Sequence, residues 1–155
     1  MKKLINLLSV LILISGCGFK VLEDSNLENF YIKDLEISGD NRVNFYIKNK
    51  LSIKANNKNK NPISLVIVTS KSKKVKEKND KNIITKYLIN INLQIKVESN
   101  NKLIKTFSLS EQKDFNVNTQ YSQTIHNEKQ AIKNITEVLV DKIIRELSTI
   151  ETNDL

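Results

Sequence analysis

Hydrophobic and polar residues alternate most regularly between Tyr87 and Glu98. Tyr87, Ile89, Ile91, Leu93, Ile95 and Val97 interleave with Leu88, Asn90, Asn92, Gln94, Lys96 and Glu98. A period of two over this length predicts a strand with one face on a core and the other polar. Ser99-Asn100-Asn101-Lys102 follows, and asparagine tolerates the positive φ of a tight turn. Leu103 to about Phe115 is then the returning strand of a hairpin. Upstream, Ile63 to Thr69 is a β-branched apolar run that predicts a strand buried on at least one face. Phe30 to Ser38 reads as a further strand. Its apolar phase switches near Lys33-Asp34, from Phe30 and Ile32 to Leu35 and Ile37, which predicts a bulge.

Two segments carry helical spacing instead. Gly39-Asp40 supplies a break and an N-cap, after which Val43, Tyr46, Ile47, Lys50 and Leu51 form a stripe that predicts a helix over 41–53. The second segment is longer. Asn127 with Gln130 three residues on reads as a capping pair. Ala131, Ile132, Ile135, Val138, Leu139, Lys142, Ile143 and Leu147 then place one apolar stripe over about five turns. Lys142 interrupts that stripe, and its stem can lie along a core with its head in water. Residues 149–155 are polar and read as a frayed tail.

Between these elements, 55–61 is a polar loop rich in Asn and Lys, closed by Pro62, the chain's one proline. Ser70 to Asp80 is the most basic stretch, with Lys71, Lys73, Lys74, Lys76 and Lys78, and it either extends the preceding strand or projects as a hairpin tip. The order is β-α-β-β-β-α. One-sided alternation requires a covering layer, so the expected fold is α+β: a two-layer sandwich with a mixed sheet of about four strands and both helices on one face.

The first residues follow a different logic. Met1-Lys2-Lys3 is cationic, and Leu4 to Ile14 is a mostly apolar run whose helix would span roughly 17 Å. That is short of the ~30 Å hydrocarbon core of a bilayer. A positive start, a short apolar stretch and small residues at its exit describe an export signal. Ile14-Ser15-Gly16-Cys17 resembles the lipobox of bacterial prolipoproteins. Small residues admit the peptide to a membrane protease, and the thiol is the nucleophile that becomes thioether-linked to diacylglycerol. The expected organisation is a signal peptide over 1–16, a lipidated tether over 17–29, a domain over 30–148 and the tail. Resemblance to lipoproteins implies diacylglycerol and an N-acyl chain such as palmitate on Cys17; two or more chains hold a protein stably where one does not. Gly18, in place of Asp, resembles the sorting signal for the outer membrane.

Removal of 1–16 leaves 139 residues, enough for one domain with one core. Lys2 and Lys3 leave with it, so 23 of the 25 basic residues face 17 acidic ones. Excess positive charge points to an anionic partner. Export argues against nucleic acid and leaves a phospholipid surface or a phosphorylated glycolipid. Arginine occurs only at Arg42 and Arg145 while Lys, Asn and Ile abound, a profile that an AT-rich genome also produces. Catalytic motifs are missing: the sequence has no H-E-x-x-H, G-x-S-x-G or P-loop pattern. His126 is the one histidine and reads as a residue near a helix start. Asp34 and Glu36, two apart on a strand, read as exposed carboxylates. No metal or soluble cofactor is expected.

The order of parts resembles the LPS-assembly lipoprotein family, LptE or RlpB. Gly16-Cys17-Gly18-Phe19, a first strand and short helix, and a long central hairpin carry the resemblance. So do the tyrosine-led strand Lys86 to Leu93, the linker with Tyr121, and the terminal helix ending Ile143-Ile144-Arg145-Glu146-Leu147. The chain departs from the family in its Lys/Asn-rich stretch at 70–82. The resemblance implies a non-enzymatic outer-membrane lipoprotein on the periplasmic side or in a barrel lumen. It would plug and help assemble an LptD-type β-barrel that inserts lipopolysaccharide into the outer leaflet. Lipid A phosphates are dense anions that lysines pair with through charge-assisted hydrogen bonds. The candidate contacts to LPS or barrel are Lys71, Lys73, Lys74, Lys76, Lys78 and Lys96. The alternatives are an auxiliary lipoprotein of a lipid-transport ABC system and a pilotin-like chaperone of another outer-membrane pore.

Overall fold

A computed structural model describes residues 30–54 and 61–150. The expected signal segment, Cys17, the expected tether, most of the 55–61 loop and residues 151–155 lie outside the described residues. The order is β1 (Phe30–Gly39), α1 (Asn41–Lys54), β2 (Asn61–Lys78), β3 (Ile84–Ser99), β4 (Lys102–Asn116) and α2 (Tyr121–Ser148). The four strands form one sheet in the order β1-β2-β3-β4. β1 runs parallel to β2, and the other neighbours are antiparallel, so the sheet is mixed. This is the two-layer α+β architecture that the alternation predicts.

The strand register follows from side-chain parity. Ile63, Leu65, Ile67 and Thr69 of β2 and Ile89 to Val97 at odd positions of β3 are buried on one face. The helices cover that face, with Val43, Ile47 and Leu51 of α1 and Ile132, Ile135, Leu139 and Ile143 of α2 closing the core. The bulge in β1 falls between Ile32 and Asp34. It resets the phase so that Ile32, Leu35 and Ile37 all pack on the core. Asn100 and Asn101, with φ of 50° and 62°, make the two-residue loop between β3 and β4. Consecutive positive φ values give the turn whose twist matches an antiparallel pair.

Strands of 18, 16 and 15 residues make the sheet long and narrow. β2 alone extends roughly 60 Å, while four strands side by side span about 19 Å. The basic stretch after Ser70 is not a loop. It continues β2 to Lys78 and turns through Asn79–Ile83, where the Asn79 side chain accepts hydrogen bonds from the amides of Lys81 (3.0 Å) and Ile83 (2.9 Å). Lysine is a poor strand former, but pairing to β3 satisfies the backbone regardless of side-chain propensity.

Three details of the helices differ from the sequence reading. α2 starts at Tyr121, so Asn127 is not a cap, and Tyr121 is helix rather than linker. Gln120 at the N-cap makes no side-chain hydrogen bond. The entry is secured from inside the first turn, where the buried Thr124 hydroxyl accepts the Asn118 amide at 2.9 Å. Asn127 instead donates to the Asn116 carbonyl (3.1 Å) and the Asn118 side chain (3.0 Å). Val138 is 42 % exposed, whereas Val140 and Ile144 are buried. Glu137, Val140 and Ile144 share one helical stripe, and an ion pair from Glu137 to Lys50 (3.0 Å) marks that flank as the one facing α1. Thr149 caps the helix end and Ile150 is 6 % exposed, so these two residues belong to the packed domain and not to a tail.

Candidate functional site

The lysine-rich half of β2 does not present a single basic patch. Side chains of a strand alternate between faces, so the run divides. Lys71 and Lys73 stand opposite Ile91 and Ile89 and therefore point to the helix side. Lys71 pairs with Asp40 at 2.8 Å, and Lys73 with Glu128 of α2 at 2.9 Å, its ammonium also lying 5.0 Å from the Tyr87 ring centre. On the other face Lys76 pairs with Asp114 of β4 at 2.8 Å. Lys78 donates to the Asn82 side chain across the turn at 2.9 Å. Four of the six candidate lysines are thus engaged by the chain's own groups. Among the described residues Lys74 and Lys96 have no hydrogen-bond or ion-pair partner. Both lie on the open face, but eight residues of strand separate their rows, about 26 Å.

The Asp40 end of this network is structural. Asp40 Oδ1 accepts the amides of Arg42 (3.1 Å) and Val43 (3.0 Å), the N-cap that Gly39-Asp40 predicts. Its own amide donates to Thr69 Oγ1 at 2.9 Å, and Thr69 lies 2.6 Å from Asn44 Oδ1. Partial burial raises the Asp40 carboxyl. The Lys71 hydrogen bond, the Val43 amide, the Lys71 charge and the Arg42 amide together outweigh it and hold the carboxyl below its usual range. Across the molecule, the Lys142 hydrogen bond at 2.6 Å lowers Glu111 of β4 in the same way. A carboxyl lowered on folding stabilises above its unfolded pKa, about 4, and loses that contribution as pH falls through the lower folded value. Resistance to urea should therefore weaken as pH falls from about 5 to about 3. Asp40→Asn, which keeps the cap but removes the charge, should flatten part of that fall; an unchanged slope would mean Lys71 adds nothing.

The open face of β2, β3 and β4 has a different character. Between the Lys74–Asp114 end and Lys96, its rows carry Val66, Val68, Ser70 and Ser72 on β2, then Leu88, Asn90, Asn92 and Gln94 on β3. Thr106, Ser108, Ser110 and Gln112 complete them on β4. None of these is charged, in a chain of which 27 % is charged. Ser110 lies 2.8 Å from Asn92 Oδ1 and 3.1 Å from Asn90 Oδ1. A shallow hollow of ≈ 480 Å³ opens there, lined by Ser72, Lys74, Leu88, Asn90, Ser110, Glu111 and Gln112. The sequence shows most of these residues as polar alternates in single strands, with Val66, Val68 and Leu88 apolar among them. Their collection into one uncharged surface depends on register across three strands.

Lys105 also went unmarked in the sequence. It faces the helices from β4 and pairs with Glu146 at 2.8 Å, with Thr149 Oγ1 at 3.1 Å. A cation at a helix C-terminus complements the helix dipole. Asp34 and Glu36 are exposed on β1, Asp34 accepting from Ser64 at 3.3 Å, and His126 is exposed on α2. No group of three His, Cys, Asp or Glu comes together among the described residues to hold a metal. Among them, too, no helix is long and apolar enough to cross a membrane.

The fold defines a class: a single-sheet α+β domain with strand order 1-2-3-4 and two helices on one face. Solved structures share it. The rare lipoprotein B of Shewanella oneidensis superposes with a TM-score of 0.57 at 12 % identity, over 77 % of this chain and 97 % of that one. The lipoprotein B of Nitrosomonas europaea, described as uncharacterized, gives 0.56 at 15 % identity, over 84 % and 90 %. The likeness is one of fold. No family model matches the sequence, and no curated protein matches it.

Proposed function

We propose that the chain is an outer-membrane lipoprotein of the LptE (RlpB) type. It occupies the lumen of an LptD-type β-barrel, helps that barrel assemble, and contacts lipopolysaccharide on its way to the outer leaflet. It performs no chemistry of its own. The observation that carries the reading is the fold shared with rare lipoprotein B along nearly all of that protein's length. The lipobox-like Ile14-Ser15-Gly16-Cys17, reached independently from the sequence, supports it.

The shape of the domain is suited to a lumen. A sheet about 19 Å wide and roughly 60 Å long is a rod rather than a ball. Barrels large enough to hold a plug have about 22 strands, and their interiors are polar. An uncharged face of hydroxyls, amides and a few apolar side chains can lie on such a wall without burying an unpaired charge, which would cost several kcal/mol. β1 starts at the end of the sheet that the tether reaches, and the β2–β3 turn lies at the other end. Lipid at Cys17 would hold the near end at the membrane while the lysine-bearing end enters the barrel. Of the six candidate lysines, Lys74 and Lys96 are the two left for phosphate or barrel contact.

Purification of the tagged full chain from membranes tests the assignment. One large β-barrel protein should accompany it in near-stoichiometric amount. An inner-membrane permease in its place would favour the auxiliary lipoprotein of a lipid-transport system.

A further inference from the structure

The edge of β2 that faces away from β3 is occupied only along its first half. β1 pairs with it from Asn61 to Thr69 and stops at Gly39. β2 runs on through Ser70–Lys78 with β3 alone beside it, in regular register as far as Val75 and with register shifts from Val75 to Lys78. β1 cannot continue along that edge, because Gly39 lies against the Thr69 carbonyl and the chain turns at once into α1. Among the described residues no strand covers these nine positions. Unpaired amides and carbonyls in a row are a template for an added strand.

The side chains on this edge select what can be added. Two β2 edges brought together would oppose Lys71, Lys73, Lys74, Lys76 and Lys78 of each copy, with Glu77 as the one acid in the run. Like charges facing across a strand pair are destabilising, and Lys74, which has no internal partner, would add to that cost, which disfavours a second copy of this chain. On the open face the edge offers Ser70, Ser72 and the unpartnered Lys74; on the helix face it offers Val75, 46 % exposed. An incoming strand therefore meets a cation on one face and an apolar side chain on the other. The geometry points to Ser70–Lys78 as the docking edge for an extended acidic segment of a partner protein, with acidic and apolar residues in alternation. Main-chain hydrogen bonds supply the pairing, and Lys74 supplies the choice of charge. This goes beyond the barrel reading and does not depend on it.

The test uses the full chain in detergent micelles and three synthetic peptides. One is acetyl-Val-Glu-Val-Glu-Val-Glu-Val-amide, the second has Lys for every Glu, and the third is the acidic peptide N-methylated at alternate residues. Amide hydrogen exchange is followed along β2. The acidic peptide should slow exchange within Ser70–Lys78 and leave Asn61–Thr69 unchanged, and the other two should slow exchange in neither stretch. Lys74→Glu, at an exposed position with no internal partner, should weaken the acidic peptide about tenfold. Equal protection by the basic peptide would overturn the charge selection. Equal protection by the N-methylated peptide would overturn strand addition in favour of simple charge attraction. No protection by any peptide would overturn the proposal and leave the lysines as guards that keep the edge unpaired.

Discussion

Replacing Cys17 by serine will move the protein from the membrane fraction to the soluble one. A serine hydroxyl cannot form the thioether to diacylglycerol, so every acyl chain of the proposed anchor is lost together. Each buried methylene contributes about 0.8 kcal/mol, and two or more chains make attachment lasting where one is marginal. Loss of all of them should reduce the membrane-bound share by far more than about tenfold. Fractionation of cells expressing the full chain and its Cys17→Ser variant reads this directly. Retention of the variant in a salt-washed membrane pellet would contradict the anchor and show that the domain binds membrane or a partner by itself.

The second large effect lies in the fold. Gly39 ends β1 at φ 105°, a backbone conformation that residues with a Cβ rarely adopt. A Cβ there would sit 1.9 Å from the Thr69 carbonyl oxygen and 2.8 Å from its hydroxyl. The obstacle is backbone of a central strand, which cannot rotate away. Gly39→Ala should therefore cost about 3 kcal/mol or more, combining the strained φ with a forced shift of β1 from β2. Its urea midpoint should fall sharply with the slope little changed. A loss under about 1 kcal/mol would mean that β1 is only loosely registered on β2. The same junction holds the Asp40 cap and the Lys71 ion pair, so loosening it would also disturb the start of the free β2 edge.

Much of the architecture could be read from residue order, because the signals are local. Alternation in β3 names its own core face, Asn100-Asn101 names its turn, and the phase switch at Lys33-Asp34 names a bulge. Each depends on residues within a few positions of one another. The extension of β2 through the lysines was harder, because a charged run has the same composition on a loop and on a guarded strand edge. The capping pair at Asn127 puts the start of α2 seven residues too late. Its entry depends on the Thr124–Asn118 hydrogen bond instead of a capping side chain. The lysine cluster shows the limit most clearly. Adjacent in sequence, its members divide between two faces and meet Asp40, Glu128 and Asp114, residues distant in the chain. Long-range register assigns those partners, as it also assembles the uncharged sheet face. Neither is encoded in any single segment.

A plug differs from a surface-docked partner in being surrounded, and that difference can be measured. Photo-crosslinking residues placed singly at Asn92 on the open sheet face, Phe45 on the exposed side of α1 and Ile83 at the far turn sample three sides of the domain. Phe45 and Ile83 are 61 % and 59 % exposed and Asn92 is exposed as well, so none of the three substitutions disturbs the core. After irradiation in cells, the plug account predicts adducts from all three positions with one and the same outer-membrane barrel. Adducts from a single side, or capture of an inner-membrane permease in the barrel's place, would contradict it.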